Sequence, residues 1–202
     1  MKGRLAGLAL FATLLTACVS IGGQRAREST FDFGLAAPPV VKPDSIRGSV
    51  LVPEVVAPEW LDSAGISYRL AYDDGARARI YTSSRWAAPP ALLVTQRLRA
   101  AVAIATGGRL VLPQDAAQAD WVLRVELESF SQVFDAPERS RALVAMRATL
   151  IGASARRVVA QKTFSAEGIA ESADAAGGAK ALTRAANEVV DAIVAWAAEQ
   201  TR

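Results

Sequence analysis

Apolar positions recur with two different periods along the chain, and the change from one period to the other marks out the elements. Trp121, Leu123, Val125 and Leu127 alternate with Val122, Arg124, Glu126 and Glu128, the period of two that predicts a half-buried strand. The stretches RALVAMRATLIG and RRVVAQKTF predict two more strands around a short Ala153-Ser154-Ala155 turn. Upstream, SVLVPEVVAP reads as a valine-rich strand that Pro53 marks as an edge or a bulge. ISYRLAY and ARARIYT flank Asp73-Asp74-Gly75, a strong turn signal, and predict a hairpin over 66–72 and 76–82 with Ile80 facing away from Arg79 and Tyr81. RLVL is a short strand ended by Pro113. The helical period appears twice. After Pro89-Pro90, suited to a first helical turn, Val94, Leu98, Ala101 or Val102, and Ala105 share a face until Gly107-Gly108. Near the end of the chain Ala179, Leu182, Ala186, Val189, Ile193 and Trp196 form one apolar stripe. The expected architecture is α+β: a mostly antiparallel sheet of about six strands with two amphipathic helices packed on it, as a single domain.

The first residues follow neither period. Lys2 and Arg4 precede a mostly apolar stretch, Leu5 to Leu15, and Thr16-Ala17 places small residues before Cys18. That is the layout of a secretory signal peptide, too short to span a bilayer permanently. Ile21 to Gly48 has no sustained period and reads as an extended tether. The expected division is therefore a leader at 1–17, Cys18 and a tether at 18–47, and the folded domain at 48–202. Within the tether Phe31 and Phe33, followed by Gly34, suit a short strand, a docking segment for a partner, or a segment packed on its own domain.

Charge and chemistry narrow the function. Loss of residues 1–17 removes Lys2 and Arg4 and no acid, so 23 basic and 20 acidic side chains become 21 and 20. A nearly neutral chain offers nucleic-acid phosphates no strong field, and no nucleic-acid partner is expected. Cys18 is the sole cysteine and there is no histidine, which leaves no intramolecular disulfide, no Cys/His metal site and no Ser-His-Asp or Cys-His machinery. Glu126 and Glu128 lie two apart on one strand, the spacing of a solvated strand face or of a salt bridge with Arg147 more than of an acid/base pair. Asp73, Asp74 and Asp115 lack the spacing of a calcium loop, and neither Gly107-Gly108 nor Gly177-Gly178 has the context of a phosphate loop. The arginine pairs Arg97/Arg99 and Arg156/Arg157 read as solvated charge rather than a lipid headgroup site. No enzyme activity, no metal and no cofactor are expected.

Leu15-Thr16-Ala17-Cys18 resembles the bacterial lipobox, which implies cleavage before Cys18, a diacylglycerol on its thiol and an acyl chain on its new amino group. Val19 stands where enteric lipoproteins kept in the inner membrane have aspartate, which favours the periplasmic face of the outer membrane. Beyond the lipobox, Pro53, Leu61-Asp62, Tyr81, Ser84-Arg85-Trp86 and Pro89-Pro90, in that order, together with FDFGL, resemble the ABC-type transport auxiliary lipoprotein family, which includes the small lipoprotein of paraquat-inducible-type systems. The resemblance implies a non-enzymatic accessory that docks a permease, an ATPase and a periplasmic subunit of the mammalian-cell-entry type, machinery that moves lipid between the two membranes. Phe31, Phe33, Tyr81, Arg85 and Trp86 are the expected partner-binding residues. Arg85-Trp86, at a strand-to-helix junction, equally suits a packing role. Two other readings stay open: a structural envelope lipoprotein that binds peptidoglycan or an outer-membrane assembly machine, and a lipid carrier with its own cavity. An exposed edge near Pro53 would permit a homo-oligomer, though nothing in the sequence demands one.

Overall fold

The structure, a computed structural model, describes residues 28–35 and 40–202. The leader, Cys18 and the first part of the tether lie outside the described residues. Eight strands and two α-helices follow in chain order. They are β1 (Ser29–Phe31), β2 (Val50–Leu51), β3 (Gly65–Leu70), β4 (Asp74–Trp86), α1 (Pro90–Ala105), β5 (Leu110–Val111), β6 (Trp121–Ala136), β7 (Arg139–Gly152), β8 (Arg157–Ile169) and α2 (Ala175–Gln200). No helix among the described residues is long and apolar enough to cross a membrane.

The long antiparallel meander β6–β7–β8 follows the alternation closely, and its turn falls at 153–156 as the sequence predicts. The other strands attach to the free side of β6 at two levels. Near its start β6 takes β2 in parallel, and β2 takes β5 in parallel. Near its end β6 takes β3 in parallel, followed by β4 antiparallel and β1 parallel to β4. The sheet is thus mixed and has eight strands, a correction to the mostly antiparallel sheet of about six. Its parallel pairs join segments far apart in sequence, and parallel pairing needs a long crossover rather than a readable turn. The hairpin turn also moves: β3 stops at Leu70, and Asp74 and Gly75 already belong to β4, which runs through Ser84-Arg85-Trp86.

The helices cover one face of the sheet. Phe164 of β8 meets Trp196 of α2 edge to face at 5.7 Å between ring centroids, and Phe164 is registered with Met146, which is registered with Leu127. Those residues therefore face the helices, together with Leu123, Val125, Ala148 and Leu150, all buried. Between Leu127 and Ser129 the register slips by one at a β-bulge, after which Phe130, Gln132 and Phe134 pair with Val144, Ala142 and Ser140. The buried parity of β6 changes from odd to even there.

Pro90 opens α1, where its missing N–H costs nothing, and the helix is closed by Gly107 and Gly108 at φ +61° and +86°, whose N–H groups donate to the carbonyls of Ile104 and Ala103. Asp174 caps α2 by accepting from the Gly177 N–H at 2.8 Å. The residues that the helical period marks as apolar are buried in both helices.

Candidate functional site

Four of the five residues expected to meet a partner, Phe31, Phe33, Arg85 and Trp86, lie at one corner of the sheet, and two of them are buried. Trp86 ends β4 and is 0% exposed, while Phe33, just past β1, is 6% exposed. Their rings meet edge to face at 5.8 Å, Trp86 meets Phe130 at 5.6 Å, and Phe33 stacks on Phe130 at 6.1 Å. This three-ring cluster is core, so Phe33 and Trp86 are not surface anchors; the packing reading of both holds. The cause is the parallel addition of β1 to the edge of β4, with Ser29, Thr30 and Phe31 in register with Ser84, Arg85 and Trp86. The Ala87 N–H donates to the Phe31 carbonyl at 2.7 Å and closes the pairing. Phe31 is half-buried beside the cluster.

Arg97 of α1 completes the attachment. Its Nη2 donates to the carbonyl oxygens of Phe33 and Gly34, at 2.6 and 2.9 Å. Arg99 Nε donates likewise to the Val52 carbonyl at 3.2 Å. These arginines are structural straps rather than solvated charge, a correction that the helical period alone could not supply because their acceptors are backbone atoms 47 and more residues away. Gly34 itself adopts φ +65°, with its N–H donating to Asp32 Oδ1 at 2.7 Å. Arg85 is exposed and reaches Glu28 at 3.6 Å, an ion pair in solvent of little energetic weight.

Tyr81 belongs to a second cluster. Its ring lies 4.6 Å from that of Tyr68, and its hydroxyl donates to Gln132 Oε1 at 3.0 Å. Gln132, wholly buried, donates through Nε2 to Ser140 Oγ at 2.7 Å and to the Asp174 carbonyl at 3.2 Å. Burial pushes the Tyr81 hydroxyl up to about 12, helped by the neighbouring Tyr68 and Asp174. The amide fits only because residue 178 is glycine: a Cβ there would lie 2.1 Å from Gln132 Oε1. Sequence reasoning missed this network, since one glutamine in an apolar strand carries no periodic signal.

On the sheet face away from the helices, Arg147 bonds Glu126 and approaches Glu128 at 3.5 Å. The two carboxylates share one guanidinium, the salt-bridge arrangement that the spacing predicts. Beside them Val56, Pro58 and the half-exposed Trp60 border a shallow depression of about 540 Å³. A larger open hollow, about 950 Å³, lies at the start of β6, where Trp121 and Val122 meet the β7–β8 turn. Among the described residues no group of three or more acidic or cysteine side chains is placed to hold a metal ion.

Solved structures share this fold. The protein XCC0632 of Xanthomonas campestris superposes with a TM-score of 0.72 at 21% identity, over 85% of this chain and 96% of its own. An uncharacterized protein gives 0.63 at 16% identity, over 84% and 98%. A PelC dodecamer of Paraburkholderia phytofirmans gives 0.47 at 14%, over 83% and 95%. Among curated proteins none matches the sequence. The family model for the ABC-type transport auxiliary lipoprotein component matches residues 31–194, from the three-ring cluster's own Phe31 segment to the last turns of α2. The chain belongs to the ABC-type transport auxiliary lipoprotein component family.

Proposed function

We propose that the protein is held by acyl chains on Cys18 to the periplasmic face of the outer membrane and there serves, without chemistry of its own, as a docking component for an ABC-type envelope lipid transporter with a mammalian-cell-entry-type periplasmic subunit. Family membership over residues 31–194 carries the reading. Two features support it. The apolar leader ends on small residues and the sole cysteine, and a diacylglycerol with a further acyl chain supplies the several buried chains that stable anchoring requires. The tether is itself fastened to the domain at residues 29–34 by β1, Phe33 and Arg97, so an anchor would be transmitted to a folded body rather than to a loose end.

The test is gentle solubilisation of envelopes, capture through a C-terminal tag, and identification of what accompanies the protein, with acyl chains on Cys18 sought by mass. Recovery of an ATPase, a permease and a mammalian-cell-entry-type subunit is the expected result. Recovery of peptidoglycan or barrel-assembly components in their place would overturn it.

A further inference from the structure

The hollow at the start of β6 differs from the other depressions in its charge and its place. Arg156 and Arg157, at the β7–β8 turn, line it, and neither has an acidic partner within salt-bridge distance among the described residues. The only acid in its lining, Asp120, is engaged elsewhere: it accepts from the Ser49 N–H and hydroxyl, both at 2.8 Å, which hold its carboxyl below the usual range. The Trp121 indole at its edge is held by donating its N–H to the Arg47 carbonyl at 2.9 Å. Beside the polar Gln118 and Ser154, the hollow presents the apolar Leu51, Trp121, Val122 and Val159, the last 46% exposed. Apolar side chains beside arginines without acids suit a ligand that is itself part apolar and part anionic.

Strand directions give the hollow its place. β1 is parallel to β4, β4 antiparallel to β3, and β3 parallel to β6, so the amino end of β1 points toward the β6–β7 turn. The β7–β8 turn lies at the opposite end of β6, whose 16 residues span about 50 Å. The hollow is concave, unlike a loop tip that inserts into a bilayer, and it sits at the end away from the one that the amino end of β1 faces.

The geometry points to this hollow as the seat of an acidic, partly apolar peptide segment of a protein partner, gripped by Arg156 and Arg157 over the surface of Trp121, Val122 and Val159. As the docking surface for the transporter's periplasmic subunit, the site rests on the function proposed above. As a peptide site it does not.

The experiment uses the full lipidated chain in zwitterionic nanodiscs, with a short fluorescein-labelled peptide alternating glutamate and leucine as the probe. The peptide binds, its affinity falls as salt rises, and the same peptide with lysine for glutamate does not bind. Arg156→Glu/Arg157→Glu weakens binding about tenfold or more, since like charges then face each other. A second variant, Arg156→Gly/Arg157→Ser, removes both charges and places glycine where Arg156 holds φ +48°, so that loss of binding without loss of circular dichroism is read on a relaxed turn. Equal binding of both peptides, undiminished binding by both variants, or arginine-dependent flotation with phosphatidylglycerol vesicles without peptide binding would each overturn the site. In the tagged capture, a charge-reversed variant that still brings down the transporter subunits overturns the hollow as docking site and leaves the function standing. Peptide binding by a wild-type chain that captures no transporter subunit does the reverse.

Discussion

At the scale of single residues, the logic of an exposed hot spot gives way to packing. Trp86 has no exposed surface, and its indole N–H has no acceptor among the described residues. Trp86→Ala opens a cavity between Phe33 and Phe130 and is expected to cost about 3–5 kcal/mol. Trp86→Phe keeps most of the contact and deletes an unsatisfied donor, so its cost falls below about 2 kcal/mol. Urea denaturation of the two variants separates these outcomes; equal losses would mean that the N–H matters. Tyr81 offers a spectroscopic counterpart. Its hydroxyl is pushed up to about 12 by burial, so tyrosinate absorbance should show a late component that Tyr81→Phe removes from the titration of three tyrosines. Because the folded-state value is raised, the stability linked to this group is fully present below the ordinary tyrosine value and is lost as pH rises from there through about 12. Sequence reasoning placed Arg85 and Trp86 at a strand-to-helix junction, where the end of β4 leads into α1. It could not tell which way they faced, because a tryptophan at the end of a strand has the same neighbours in sequence whether it is covered or not.

At the scale of elements, what was legible depended on whether the partner lay nearby in the chain. Both helices and the β6–β7–β8 meander could be read, since a period and a turn suffice for each. The bulge at Glu128 was also written in the sequence, as the parity change from Leu123, Val125 and Leu127 to Phe130, Gln132 and Phe134. The alternation read over residues 121–128 stops short of it. β2 and β5 were legible as short apolar runs, and Phe31 and Phe33 left β1 open, but each is only two or three residues long and pairs with a strand 55 or more residues away, so their partners were not legible. β1 is accordingly the element most readily detached. Phe33→Ala removes its knob, and Arg97→Ala its clamp; either should expose the Ala87 amide, which donates to the Phe31 carbonyl, to faster hydrogen exchange. Unchanged protection at Ala87 in Phe33→Ala would show that backbone pairing alone holds the strand. The cap of α2 behaves as a local device too: Asp174→Ala should cost about 1 kcal/mol. The hydrogen bond from Gly177 holds the Asp174 carboxyl below its ordinary value, so that contribution is present above the unfolded-state value near 4 and disappears as pH falls through the lowered folded value.

At the scale of the whole molecule, the short chain from Cys18 to β1 would couple the proposed anchor to the body. Eleven residue steps lead from Cys18 to Ser29, and a fully extended chain of that length spans at most about 40 Å. With β1 docked, a lipidated chain keeps its domain within that distance of the bilayer. With β1 and Phe33 released, the first fastened residues are those near Asp44, whose N–H donates to Ile104, and the permitted reach more than doubles. Anchoring thereby fixes both a surface and a height, and confining two partners to one gap raises their effective concentration without any new contact. Cys18→Ser should leave circular dichroism unchanged yet move the chain from the membrane to the soluble periplasmic fraction. Its capture of transporter subunits should then fall by about a hundredfold. Phe33→Ala, still lipidated, should stay on the membrane and lose far less. If Cys18→Ser captured subunits as well as the wild type does, direct affinity rather than confinement would hold the assembly, and the tether would serve only to retain the protein in the envelope.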